Sequence, residues 1–257
     1  MIPVLAVQLG RLGDILNILP ACRHLNIRHM MIHPAFDVAM RGQSYVEPVY
    51  FSGDIEDLRF AVEYARGIAK DVRVAQLFGR VQPDGLSPRS RPSFVMDQWD
   101  RLRPGLGDLW GKLPLEFDRR DAPREAELIV QLRAHCGRPT LLVNTFSHSS
   151  PLDPHYAAEL YAHLESNHPE FHVIRLGDVR AFSYCDLLGL YERAAGLITV
   201  DSASLHLCRA CPNLPTFRFV RPDHDATPIR EFEHTQAYHE RGMGKIDEFV
   251  AALKGRN

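Results

Sequence analysis

At 257 residues, 45% hydrophobic, 9% aromatic and 24% charged, the chain has an ordinary globular composition. A chain of this length buries about 70–75% of the surface its unfolded form exposes, so stability requires neither a disulfide nor a structural metal. Lys plus Arg total 30 against 32 for Asp plus Glu, a formal net charge of −2, which gives no overall electrostatic case for a nucleic-acid binder.

The opening MIPVLAVQLGRLGDILNILP is apolar but has no basic leader, and Arg11 and Asp14 interrupt it; it does not read as a signal peptide. No apolar run approaches the roughly 18 residues of a membrane helix. Within that opening, Ile2 to Gln8 has the character of a buried parallel strand. A loop with two glycines, Leu9 to Asp14, follows, and Ile15, Leu16, Ile18, Leu19, Cys22 and Leu25 then recur at helical spacing. His29 to His33, Val46 to Phe51 and Val72 to Phe78 are further strand candidates, and residues 54–70 predict an amphipathic helix between the last two. Strands alternating with helices argue for a parallel α/β sheet. Gly79 to Arg91 is polar and rich in Pro, Gly and Ser, a loop. A helix over Phe94 to Leu102, a Gly/Pro-rich connector and helix-like residues 123–135 lead to Gly137-Arg138-Pro139.

There the pattern restarts. Thr140 to Phe146 predicts a strand, SHSSPLDP a polar loop, and Tyr156 to Leu164 an amphipathic helix. Phe171 to Leu176 is a strand ending in Gly177-Asp178, residues 186–195 read as helix, and Gly196 to Val200 as strand. Asp201 to Ser204 is a turn of small residues, Leu205 to Cys211 begins another helix, Pro215 to Val220 is a last short strand, and Lys245 to Leu253 a last helix. Each half thus opens strand, polar loop, helix. The expected organisation is two Rossmann-like α/β domains, residues 1–125 and 126–257, joined near residues 120–139.

In open parallel sheets, ligands bind outside the carboxyl ends of the strands. Three such ends are chemically suggestive. At Gly10 to Asp14, glycines let backbone approach a ligand and the next helix offers free N–H groups to an anion. Asp14 there has two readings: a general base taking a proton from a hydroxyl, or an acid that favours the positive end of its helix. At Asp201-Ser202-Ala203-Ser204-Leu205-His206, hydroxyls and backbone N–H groups suit phosphate, and Asp201 suits sugar hydroxyls. The competing reading is an Asp/Ser helix cap with a packed histidine. Thr145 to Ser150, with Ser147 and His148, lines a diphosphate site or is a plain surface loop.

Other chemistries find less support. The spacing G-x-x-G-D is not the dinucleotide fingerprint, and neither a nucleophile elbow, a phosphate-binding P-loop nor an H-E-x-x-H zinc pair is present. Cys208-x-x-Cys211 is one pair without a partner pair and reads as buried helix thiols rather than a zinc ligand set. Five cysteines, an odd number without a regular framework, suit a reduced, cytoplasmic protein. Arginines 80, 89, 91, 101 and 103 cluster in one region, as a phosphate-facing patch or a solvated face.

Taken together, the main loops resemble the heptosyltransferase group, glycosyltransferase family nine. Gly13-Asp14-Ile15-Leu16-Asn17-Ile18-Leu19-Pro20 is similar to the family's Gly-Asp loop and apolar helix with a Pro. DLLGLYERAAGLITVDSASLHLCRACPNLP is similar to its helix, strand and Asp-Thr/Ser-Gly-x-x-His with a later Pro. FVMDQWDRL is a lesser match, with Asp97 at the family's helical Asp.

The resemblance implies the GT-B architecture: two Rossmann-like parallel-sheet domains facing a central cleft, with a terminal helix returning toward the first. It implies an inverting glycosyltransferase with Asp14 as general base and Gly10, Arg11, Gly13 and Asp97 on the acceptor side. Thr145, Ser147, His148, Gly177, Asp178, Asp201, Ser202, Ala203, Ser204 and His206 would hold the donor. That donor is a nucleotide-diphosphate sugar used as co-substrate, with no other cofactor and no metal. The acceptor would be a glycan or lipid-linked sugar, and the protein cytoplasmic or peripheral to the inner membrane surface. The alternatives are a transferase of the same fold that glycosylates a modified DNA base, and a non-catalytic nucleotide-binding member. Two departures bear on these: Ala203 stands where the family has Gly, and Thr145 to His155 lacks the family's basic residue, for which Arg175, Arg180 or Arg221 would have to substitute.

Overall fold

The computed structural model describes residues 1–77, 94–134, 137–148, 151–220, 242–255 and the backbone of 233–237. The chain divides into two compact units, Met1–Arg120 and Asp121–Asn257.

In the first unit, β1 (Ile2–Val7), α1 (Leu12–His24), β2 (His29–Ile32), β3 (Glu47–Tyr50), α2 (Leu58–Ile68), β4 (Ala69–Val74) and α3 (Phe94–Leu102) follow in order. The sheet runs β3-β2-β1-β4 and every pairing is parallel. The chain builds outward from β1 and then returns to its other flank, so the strand order reverses between β1 and β4, where Val7 pairs with Val74. Leu5, Val7, Met31 and Val74 pack against Leu58, Ala61, Val62 and Ala65 of α2. The other helix, α1, buries Ile15, Leu16, Ile18 and Leu19 completely. Pro20 sits inside α1, where it cannot supply the usual helical N–H. One turn earlier the Trp99 indole of α3 donates to the Asn17 carbonyl at 2.8 Å, fastening α3 across α1.

The second unit contains α4 (Ala122–Gln131), β5 (Thr140–Asn144), α5 (Pro154–Asn167), β6 (His172–Arg175), α6 (Leu188–Arg193), β7 (Gly196–Val200), α7 (Ala203–Leu207), β8 (Thr216–Val220), β9 (Glu233–Ala237) and α8 (Gly244–Lys254). Its all-parallel sheet runs β6-β5-β7-β8-β9, with the reversal between β5 and β7. One face carries Leu141, Val143, Ile198, Val200, Phe217 and Phe219, covered by α5 and by Ile246, Phe249, Val250 and Leu253 of α8. Burial of these apolar side chains is the main stabilising term. Gly196 permits the close approach of α8: a Cβ there would lie 2.7 Å from Leu253 Cδ1.

Several boundaries differ from those expected. The strand expected at Val72 begins at Ala69, because α2 stops at Ile68 and Ala69 is already extended at φ −123, ψ 150. The helix expected from Leu205 starts at Ala203 and gives way to a 3-10 turn over Cys208–Ala210. Val220 does not end the sheet; β9 adds a further strand parallel to β8. Cys208 and Cys211 are buried thiols, and Cys208 Sγ donates to the Leu205 carbonyl at 2.8 Å. Among the described residues no helix is long and apolar enough to cross a membrane.

Candidate functional site

The carboxyl ends of the two sheets hold two polar clusters, each beside a reversal of strand order, where doubly wound sheets bind ligands. In the first unit the chain leaves β1 through Gln8, Leu9 and Gly10, and leaves β4 through Ala75 and Gln76. Gln8 and Gln76 are fully buried. Gln76 Oε1 accepts from the Leu9 N–H at 2.9 Å, and Gln8 Oε1 from the Gly10 N–H at 3.1 Å. Gln8 Nε2 is buried without a hydrogen-bond partner among the described residues. A buried amide group without a partner costs free energy and calls for an explanation, such as a water or a ligand.

Asp14 is half-buried in the first turn of α1. One carboxylate oxygen accepts from the Arg11 N–H at 3.2 Å, as an acid at a helix start does, and the other accepts from Gln98 Nε2 of α3 at 3.2 Å. Asp14 thus meets its own helix start through Arg11 and is held from the neighbouring helix by Gln98. Gln98 is fully buried and its Oε1 has no hydrogen-bond partner among the described residues, leaving an acceptor beside the Asp14 carboxylate. Asp97, buried in the first turn of α3, precedes Gln98 directly. Arg101, on the next turn, donates to the Gln76 carbonyl at 3.4 Å; burial lowers its pKa, with Asp97 opposing. Gly10 is buried, Gly13 half-buried and Arg11 exposed.

In the second unit the β7–α7 turn folds toward β5. The Asn144 amide at the end of β5 donates to Ser202 Oγ at 2.9 Å and to the Phe146 carbonyl at 3.0 Å, and Ser202 Oγ lies 3.3 Å from Thr199 Oγ1. Ser202 is the residue before α7, yet its hydroxyl makes no cap to that helix. The cap reading of this serine gives way to a bond across the switch point. Asp201 faces two groups of opposite character. Arg218 Nη2 of β8 reaches its Oδ2 at 3.4 Å, and His206 Nε2 of α7 lies 3.6 Å from its Oδ1. Arg218 is 3% exposed and occupies the strand register opposite Thr199.

Burial lowers the His206 pKa from 6.5 to about 4; Asp201 opposes this, while Arg209 and Arg218 add to it. His206 is therefore neutral at pH 7. An unfolded chain takes up this proton below about pH 6.5 and the folded chain only near pH 4. Stability should thus be lost as pH falls through that interval, by about 3 kcal/mol for this group, and level off below it. Urea denaturation of the wild type and His206→Gln between pH 7 and 4 reads the difference: the variant should show a shallower loss.

The remaining sites expected from the sequence fall into three positions. Thr145 Oγ1 lies 3.3 Å from the Tyr161 hydroxyl of α5, whose ring is stacked 4.3 Å under the Arg175 guanidinium. Ser147 is buried, while His148 is exposed with its ring 6.4 Å from that of exposed Phe146. Gly177 and Asp178 are exposed in the 3-10 turn after β6. Ala203 is half-buried at the start of α7, but Ser204 is buried, its carbonyl accepting from the Tyr191 hydroxyl at 3.3 Å. Of the basic substitutes, Arg175 is also bonded to Glu165 at 2.7 Å and Arg180 reaches the Gly177 carbonyl at 3.4 Å. Arg221 lies outside the described residues, as do Ser149 and Ser150. Among the described residues, Arg218 reaches Asp201 and Arg209 acts on His206; neither was expected from the sequence. A charged residue between Phe217 and Phe219 in an otherwise apolar strand was the available signal.

The arginines that suggested a phosphate-facing patch divide likewise. Arg80, Arg89 and Arg91 lie outside the described residues. Arg101 is turned to Gln76, and Arg103 Nη2 lies 3.4 Å from His24 Nε2.

Two parallel-sheet units, each with its polar loops gathered beside a switch point, define a GT-B-type Rossmann-like fold. The solved structures it is similar to agree. The ADP-heptose LPS heptosyltransferase II of E. coli matches with a TM-score of 0.62 at 13% identity, over 99% of each chain. The glycosyl transferase family 9 protein of Veillonella parvula matches with a TM-score of 0.57 at 13% identity, over 98% of this chain and 89% of that one. The E. coli heptosyltransferase WaaC, solved with ADP-2-deoxy-2-fluoro heptose, matches with a TM-score of 0.52 at 14% identity, over 97% of this chain and 99% of that one. No family model matches the sequence, and neither does any curated protein. The resemblance to the heptosyltransferase group thus holds at the level of the fold, end to end.

Proposed function

We propose that the protein is an inverting glycosyltransferase that moves a sugar from a nucleotide-diphosphate donor to an acceptor hydroxyl. The observation that carries the reading is Asp14: a half-buried carboxylate beside the β1/β4 switch point, gripped by the Gln98 amide. Asp14 takes the proton of the acceptor hydroxyl. The acceptor oxygen forms its bond to the anomeric carbon from one face as the bond to the diphosphate oxygen breaks on the other. The electron pair leaves with the diphosphate, so the configuration inverts. Gln98 Oε1 and Gln8 Nε2, without partners among the described residues, suit a second acceptor hydroxyl.

The donor side rests on the β5/β7 switch point. Asn144, Ser202 and Asp201 offer hydrogen bonds to a sugar or phosphate. Arg218, Arg209 and Asp201, with His206 neutral, are together net positive, which suits the charge that develops on a leaving diphosphate. A guanidinium in a fixed, partly desolvated place is well suited to phosphate. The fold itself supports a nucleotide sugar as the donor, because one similar structure was solved with an ADP-sugar analogue.

The test is a thermal-shift screen of nucleoside diphosphates and nucleotide sugars, with and without magnesium. A ligand at 100 times its dissociation constant adds about 2.7 kcal/mol of stability. A selective shift by one nucleoside diphosphate and its sugar conjugate, independent of magnesium, is the expected result. Absence of any shift across the panel would overturn the donor site.

A further inference from the structure

At the opposite edge of the second sheet, three side chains converge that transfer does not use. His163 lies in the last turns of α5, His168 directly follows that helix, and Asp247 is in the first turn of α8. His163 Nε2 and His168 Nε2 each lie 2.7 Å from the same oxygen, Asp247 Oδ1. The rings meet edge to face, with centroids 5.8 Å apart. Their ligand atoms all fall within 4.8 Å of one another. From these atoms we propose that His163 Nε2, His168 Nε2 and the Asp247 carboxylate form a binding site for a divalent transition cation of the zinc class.

The outer nitrogens argue for it. Each imidazole has two ring nitrogens, and a neutral ring carries one proton. If both rings donate from Nε2 to Asp247, both Nδ1 atoms must be bare. That suits His163, whose Nδ1 is 2.8 Å from the Asn167 side-chain amide. It does not suit His168, whose Nδ1 is buried without a hydrogen-bond partner among the described residues and lies 3.8 Å from Glu170 Oε1. A bare nitrogen would there face a carboxylate lone pair. A cation on Nε2 reverses the assignment: the proton moves to Nδ1 and points at Glu170. Ligating histidines typically turn their second N–H to a carboxylate or carbonyl in this way. Asn167 serves His163 equally well, since an amide can present its oxygen as readily as its nitrogen. Lys254 of α8 ion-pairs with Glu170 at 2.5 Å and holds that carboxylate in place.

The donor chemistry selects the ion. Two imidazoles and one carboxylate suit zinc and its neighbours rather than magnesium or calcium, which take oxygen sets. Metal–ligand bonds of about 2.0–2.2 Å in tetrahedral geometry hold ligand atoms roughly 3.3 Å apart, so each His–Asp distance of 2.7 Å need open by only a few tenths of an ångström on each side. The Asp247 side chain is 44% exposed, which leaves a path for the ion and room for water as a fourth ligand. The ion would clamp α5 to α8, away from the carboxyl edge of the sheet.

The experiment is titration of the full chain, freed of metal by a chelator, with zinc by calorimetry and with cobalt(II) by visible absorption. One equivalent of each should bind, with the intense bands of low-coordinate cobalt. His163→Gln, His168→Gln and Asp247→Asn should each abolish that equivalent while circular dichroism shows the fold intact. Glu170→Gln, which touches no ligand atom, should weaken it about 10- to 100-fold. If the wild type takes up no equivalent at micromolar metal, the site does not exist. If an equivalent binds but survives in the His163/His168 double variant, the ion sits on other histidines. Either result overturns the proposal.

Discussion

Asp14→Asn should lower the transfer rate by about 10²–10⁴-fold while the fold survives, because general-base catalysis contributes that much and asparagine cannot take the proton. The substitution is close to isosteric. It keeps one oxygen to accept from the Arg11 N–H, and its new N–H₂ finds an acceptor in Gln98 once that amide turns its oxygen over, so both contacts survive with one reversed. The stability cost is confined to the loss of an acid at a helix start, about 0.3–1 kcal/mol. Product assays with the donor found in the ligand screen, set beside melting temperatures, separate the two effects. Gln98→Leu is the companion variant: it removes the group that aims Asp14 and should lower kcat about tenfold with little change in donor affinity. Full activity in Asp14→Asn would remove the base from Asp14 altogether.

Arg218→Met carries the second large effect, on both stability and donor binding. Arg218 is buried in β8 with Nη2 on Asp201. Methionine matches its apolar stem but strips the charge from beside Asp201. Breaking a buried pair typically costs about 3–5 kcal/mol. With the Asp201 side chain 26% exposed, the lower part of that range applies. His206 should also titrate at higher pH, since Arg218 is one of the charges that hold it down. Nucleoside diphosphate affinity should fall at least about tenfold. Urea denaturation, NMR titration of the His206 ring and calorimetry read the three consequences separately. Unchanged nucleotide affinity in a folded Arg218→Met would move the diphosphate away from this turn.

The elements that carry the architecture were legible because they are the buried ones. Ile2–Val7, Thr140–Asn144 and Gly196–Val200 are central parallel strands, and burial on both faces leaves a continuous apolar run. The edge strand β9 was not legible, because EHTQA carries no such run. The start of β4 was hidden for a related reason: Ala69-Lys70-Asp71 continues the polar pattern of α2. In the candidate sites, the positions of Asp14, Asp201 and Ser202 between strand and helix were legible. That of Gln98 was not, since a glutamine in an amphipathic helix ordinarily reads as solvated. Only the crossing of α3 over α1, fastened by Trp99, turns it inward to Asp14. Arg218 could have been read from its apolar neighbours, but its partner lies 17 positions away and is set by strand register.

The division into units also bears on how the protein is made. Among the described residues, every strand of the first sheet lies within Ile2–Val74 and none is borrowed from beyond Arg120. At about 5–20 residues per second of synthesis, N-terminal units generally fold before the rest of the chain is complete. The first sheet can therefore close on the ribosome with its central strand made first. The second sheet has the reverse schedule: its central β7 appears only after β5 and β6, and its covering helix α8 comes after every strand. Nascent chains halted between β7 and α8 should expose the apolar face that α8 later covers. That interval is when the protein is most open to chaperones and most prone to aggregate.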